Sequence, residues 1–137
     1  MDLANYDCEA LAEEGIKCDS LIGPDGKALI SEHGVVSFVV AGKDSRRWNK
    51  AAKKMKSKYA GRKQTDLTMD EVTETAFEIL AQCIISWENV YFKSEPLECN
   101  LKHAKMLICG RGYKWLAEQL LTIANDRSRL LFEQPVN

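Results

Sequence analysis

Four side chains are candidates for holding a metal: Cys83, Cys99, His103 and Cys109. Positions i and i+4 share a helical face, so Cys99 and His103 can reach toward one point, while Cys109 lies ten residues beyond Cys99 and past the end expected for that helix. A closed zinc site needs four ligands, usually with CxxC-like or HxxxH spacing, and neither pattern occurs, so no metal is expected. Nucleophilic catalysis requires a Cys or Ser beside a base. The chain has only His33 and His103, and no local pattern links either to a nucleophile. GxSxG, P-loop and GxGxxG patterns are absent; Cys109-Gly110-Arg111-Gly112 is too short to cradle phosphate and follows a helix, where glycine is the ordinary stop. The expectation is a protein that binds others, with no catalytic residues and no cofactor.

The pronounced electrostatic feature is a basic block. Residues 1–42 hold 2 Lys/Arg against 8 Asp/Glu, residues 43–63 hold 10 against 1, and residues 64–137 hold 7 against 11, so a net charge of −1 conceals a strong asymmetry. Such a block fits nucleic acid, an acidic protein surface, or acidic neighbours in an oligomer. A pI of about 6.1 and the lack of a helix-turn-helix or RNA-binding signature disfavour nucleic acid. Arg46, Arg47, Lys50 and the nearby Trp48, with Trp115, are the candidate residues for partner binding or self-association; tryptophan and arginine are the side chains that most often anchor interfaces.

The elements that must position these residues are legible from periodicity. At 137 residues, 45% apolar and 28% charged, the chain has the size and composition of one folded domain. No apolar run reaches the ~20 residues of a membrane span. The acidic stretch 1–15 lacks the basic and apolar regions of a signal peptide, so a cytoplasmic location, with no membrane partner, is expected. Five irregularly spaced cysteines without CxxC imply reduced thiols. Residues 1–42 read as a strand or hairpin region: Ile16 to Ile22, a turn at Gly23-Pro24-Asp25-Gly26, Lys27 to Ile30, then the β-branched run Val35 to Val40, suited to a strand covered on both faces. Residues 43–137 read as about four helices of the same domain. The first is basic, N-capped by Asp44 or Ser45 and running to about Ala60, with Trp48, Ala52, Met55 and Tyr59 on one stripe; a linker over about 62–67 follows. A capping box at Thr68-Met69-Asp70-Glu71 opens a long central helix carrying Val72, Ala76, Ile79, Leu80, Cys83, Ile84 and Trp87 on its inner face. Val90 to Pro96 is a turn or short extended piece. Asn100 caps a helix with Leu101, Ala104, Leu107 and Ile108 inward, broken at Gly110 and Gly112, and the last helix turns Tyr113, Leu116, Leu120 and Ile123 to the core. Residues 125–137 read as a partly polar tail with an apolar patch, Leu130-Leu131-Phe132. The fold class is α+β, mostly α-helical.

The order of these features resembles that of a known family. Gly42-Lys43-Asp44-Ser45-Arg46-Arg47-Trp48 before a basic helix, Leu80-Ala81-Gln82-Cys83-Ile84-Ile85-Ser86-Trp87-Glu88, Pro96-Leu97-Glu98-Cys99-Asn100 and Asn125-Asp126-Arg127-Ser128 together resemble the tail assembly chaperones of long-tailed, siphovirus-like bacteriophages and prophages. The resemblance covers roughly residues 35 to 132 and departs from the family's pattern at Asn100-Leu101-Lys102 and in the later placing of Phe132. It implies a transient protein in the cytoplasm of the host bacterium. That protein coats the hydrophobic, helical tape measure protein, keeps it soluble, leaves as tail tube protein polymerises, and is absent from the mature virion. A homo-oligomer, ring or spiral, is the expected assembly. A nucleic-acid-binding phage protein using the basic helix 43–63, or a minor structural tail protein, are the competing expectations.

Overall fold

The computed structural model describes residues 2–58, 60, 61 and 67–127. Its centre is an antiparallel sheet of three strands in the order β1 (Ile16–Cys18), β4 (Ser37–Val40), β5 (Ile84–Glu88). β4 is the apolar run expected to be a covered strand. It pairs Ile16 with Val40 and Cys18 with Phe38 on one side, and Phe38 with Trp87 and Val40 with Ile84 on the other. Phe38 and Val40 are buried with Cys18, Cys83 and Ile84, and the Phe38 ring meets Trp87 edge-on at 5.7 Å, the arrangement aromatic quadrupoles favour.

Among the described residues five α-helices accompany this sheet. The four expected ones are α2 (Arg46–Lys58), α3 (Met69–Gln82), α4 (Leu101–Ile108) and α5 (Lys114–Ala124). A short α1 (Cys8–Glu14) precedes β1, with the Asp7 carboxylate accepting from the N–H groups of Glu9 and Ala10. The expected caps form. Ser45 Oγ accepts from Trp48 N–H at 3.1 Å, Thr68 and Glu71 exchange both bonds of a capping box, and Asn100 Oδ1 accepts from His103 N–H at 2.9 Å. Each such bond satisfies an amide that the helix itself leaves open. Leu80, Ile108, Leu116, Ala117 and Leu120 fill the core between α3, α4 and α5, and Ala12 and Ile16 pack against Ile123 beside it. Among the described residues no helix is long and apolar enough to cross a membrane.

Several expectations need correcting. The central helix does not continue to Trp87; it ends at Gln82, and Ile84–Glu88 becomes the edge strand β5. The ladder shifts register between Val39 and Val40, a β-bulge that lets Ile84 and Trp87, three residues apart, both face the core and so imitate helical spacing. The strand expected from Ile16 to Ile22 stops at Cys18. Its hairpin survives as the turn at Gly23–Gly26, closed by Gly23 N–H to Lys27 O at 2.8 Å and an Ile22–Ala28 bridge. Further on, β2 (Ile30–Ser31) and β3 (Gly34–Val35) form a separate small ladder, and β6 (Tyr91–Phe92) and β7 (Glu95–Pro96) form another, where an extended piece or turn was expected. Leu101, expected inward, is 53% exposed, and Val72 is 43% exposed, because the first turns of α4 and α3 lie at the rim of the core. Tyr113 sits in a 3-10 turn (Arg111–Tyr113) ahead of α5. Tyr59, residues 62–66 of the expected linker and the Leu130-Leu131-Phe132 patch lie outside the described residues.

The N-terminal strands and the helical stretch share one sheet and one core, since β5 completes the sheet begun by β1 and β4. Gly15 joins α1 to β1 at φ 94°, a conformation reserved for glycine.

Candidate functional site

Ser45 is fully buried and fixes where α2 begins, so the cap sets which α2 side chains face out. Residues advance about 100° per position around a helix. Ala51 and Met55 are buried, with Trp48 and Ala52 half-buried on the same stripe. Lys50 therefore points about 160° away from Trp48. The structure separates two sequence candidates that lie close in the chain: Trp48 packs on the core, and Lys50 faces solvent.

Arg46 is committed to α1. Its backbone N–H donates to the Glu13 carboxylate and its Nε donates to Glu9 Oε1 at 2.9 Å. The hydrogen bond to Glu9 pushes this already basic guanidinium higher still. Arg47 lies on the other flank of α2. It rims a notch of about 270 Å³ whose lining includes Ile85, Cys99 and Leu101. Farther along, Lys58 reaches Glu78 of α3 at 3.6 Å. Between these ends Lys50, Lys53, Lys54 and Lys56 are exposed and, among the described residues, none has a carboxylate in ion-pair reach.

Trp115 belongs to a different surface. It is half-buried in the first turn of α5, and its carbonyl accepts from Gln119 Nε2; Gln119 also bonds both the N–H and the C=O of Ile22 at 2.8 Å. The start of α2 is tied to the opposite end of α5 by Lys43 N–H to Ala124 O at 3.0 Å and by the two-pronged Arg127–Asp44 pair at 2.7 and 2.8 Å. About 14 Å of helix separates Trp115 from that junction. The five candidates thus fall on three places: Arg46, Arg47 and Lys50 around the outside of α2, Trp48 beneath it, and Trp115 at the far end of α5.

The sequence reading missed an apolar corner. Ile30 and Val35 are cross-strand partners in the β2–β3 ladder, 62% and 47% exposed, and the turn between them carries His33, stacked on Tyr91 with ring centroids 4.5 Å apart. Asn89, at a positive φ of 61°, holds this corner to the sheet by donating from Nδ2 to Val35 O at 2.9 Å. The signal in the sequence was Ile30 and Val35 at strand spacing about a turn, but burial is not readable from two residues.

A concavity of about 530 Å³ lies between α3 and the turn after α4, lined by Asp70, Glu74, Phe77, Glu78, Cys109, Arg111 and Lys114 among others. Cys109 is accessible there, and partial burial of its thiol together with the Glu78 charge raises its pKa against the Lys105 charge, which slows it as a nucleophile without closing it to reagents. Cys99 is likewise raised by burial, opposed by the Arg47 charge and by the Trp87 N–H at its sulfur. His103 turns Nδ1 to the Glu98 carbonyl at 2.6 Å. Among the described residues no three of His, Cys, Asp and Glu gather as a metal site would require. Compared with known protein families, with curated proteins and with solved structures, the chain matches none.

Proposed function

We propose that this protein is a tail assembly chaperone: it binds the tape measure protein of a long-tailed phage in the host cytoplasm, keeps it soluble while tail tube protein assembles, and performs no catalysis. The observation that carries the reading is the apolar corner of Ile30, Val35 and Tyr91, a surface from which water is released when an apolar partner covers it. Its β2–β3 ladder is braced by Asn89 and by the His33–Tyr91 stack, so little order has to be gained on binding. The order of motifs along residues 42–128 supports the same reading.

Co-expression with a tape measure protein tests it. The client should move from the pellet to the soluble fraction and co-purify, and Ile30→Asp with Val35→Asp should abolish both effects while leaving the chaperone folded. A client equally insoluble with and without the wild-type protein would sink the reading.

A further inference from the structure

α2 carries more positive charge than the fold neutralises, and the arrangement of the surplus is specific. Arg46 is engaged by Glu9 and Glu13 at the N-terminal end, and Lys58 approaches Glu78 at the C-terminal end. Lys50, Lys53 and Lys54 lie within about 100° of arc, centred away from the inner stripe of Trp48, Ala51, Ala52 and Met55. Arg47 and Lys56 flank them. From Lys50 to Lys56 the helix rises about 9 Å. The chain's other two stretches are both net acidic, so these cations have been gathered on one helix and left facing solvent.

We infer that this face of α2 docks an acidic α-helical polypeptide, one whose carboxylates recur at i, i+3 or i+4, and i+7. Such a ligand matches three features. Its charge is opposite to that of the face. Its two helical turns match the ~9 Å between Lys50 and Lys56. Its spacing matches that of Lys50, Lys53 and Lys54, because carboxylates on one helical face repeat at the same interval as ammonium groups on another. Nucleic acid fits less well. A duplex is charged along its whole length, one phosphate per ~1.7 Å of axis with both strands counted, so beyond the ~9 Å basic face it meets the carboxylates of Glu9 and Glu13 at one end and Glu78 at the other, whereas a peptide's carboxylates can end where the lysines do. The inference rests on the protein-binding reading above and names the chemistry of a partner segment for a surface separate from the apolar corner.

The probe is a synthetic helix-forming peptide of about 15 residues, the length at which isolated helices begin to hold, with Glu at that spacing. A Gln version of the peptide and a DNA oligonucleotide of equal formal charge serve as comparisons, all read by fluorescence anisotropy at low ionic strength. The Glu peptide should bind at least about ten-fold more tightly than the Gln peptide and more tightly than the oligonucleotide, with affinity falling as salt is added. Lys50→Glu with Lys53→Glu should weaken it about ten-fold or more, with the thermal midpoint and far-UV spectrum unchanged because both residues are exposed. Equal binding of the Glu and Gln peptides, tighter binding of the oligonucleotide, or no binding to the wild-type face overturns the inference. None of these results touches the solubility test, which the apolar corner can pass alone.

Discussion

Replacing Gly15 by alanine tests the joint on which the sheet is hung. Gly15 holds φ 94°, ψ 157°, a region almost closed to residues with a Cβ and costing about 1–3 kcal/mol to occupy. An added Cβ would stand 2.6 Å from Val39 Cγ1 and 2.9 Å from Ile85 Cδ1. Ile85 is partly exposed and its terminal methyl can swing aside, but Val39 is β-branched on the central strand and has little rotamer freedom. That contact adds about 1–3 kcal/mol of overpacking, and the stiffer unfolded chain returns about 0.4–1, leaving a net loss of about 1–5 kcal/mol. Gly26 is the control. It has φ 80° with nothing within 4 Å of the position a Cβ would take, so Gly26→Ala bears only the backbone cost of about 1–2 kcal/mol, reduced by the same unfolded-state gain. In urea, at a slope of about 2 kcal/mol per molar, Gly15→Ala should move the midpoint down by about 0.5–2.5 M, and Gly26→Ala by a fraction of that. Adding Val39→Ala to Gly15→Ala should cost less than it does in the wild type, a favourable coupling of about 1 kcal/mol or more. Equal midpoints for the two glycine variants, or strict additivity with Val39→Ala, would refute the close approach of α1–β1 to β4.

Two further outcomes follow from titratable groups. The hydrogen bond from Arg127 holds the Asp44 carboxyl below its ordinary value of 3.8 against a smaller opposing effect of burial; a depressed carboxylate adds stability that is complete above 3.8 and is lost as pH falls through the folded-state value. Thermal melts should therefore show Arg127→Gln less stable than the wild type at neutral pH, with the gap closing on acidification below 3.8; a gap independent of pH would contradict the pairing. Burial pushes the Cys83 thiol up to about 12, so iodoacetamide at mildly alkaline pH should leave Cys83 and the buried Cys18 unlabelled in the folded protein while exposed Cys109 reacts. Peptide mapping that found Cys83 modified as fast as Cys109 would be incompatible with the core described.

What the sequence made legible was local. The caps at Ser45, Thr68 and Asn100 and the turn at Gly23–Gly26 depend on residues three or four apart, and each formed where its chemistry placed it. The end of the central helix misled for a definable reason: the bulge opposite Val39 and Val40 set Ile84 and Trp87 on one side at a spacing of three, so a strand presented a helical period. The β-branched pair Ile84-Ile85 beside an aromatic residue was the competing signal. Helix α1 was signalled by Asp7, by the helix formers of Cys8–Glu14 and by the stop at Gly15, but seven residues are too few for periodicity to decide. The site candidates were parted by contacts from elsewhere in the chain. Arg46, Trp48 and Lys50 are neighbours in the chain, yet Glu9 claims Arg46, the core claims Trp48, and Lys50 alone is left free to face a partner. Contacts such as Arg127–Asp44 and Gln119–Ile22 bring together residues far apart in the chain, and no spacing rule reports them.

The late position of β5 in the chain shapes synthesis as well as the finished molecule. β4 leaves the ribosome with β1 already available on one flank, but its other flank is filled only when Ile84–Glu88 emerge. At about 5–20 residues per second, the 48 residues from Val40 to Glu88 take roughly 2–10 s. Throughout that interval Phe38 and Val40 sit beside an open row of amides and carbonyls, the condition in which nascent chains add to one another. Slower elongation between residues 40 and 88 should accordingly lower soluble yield, and overexpression at reduced temperature gains nothing unless association of nascent chains slows more than translation does.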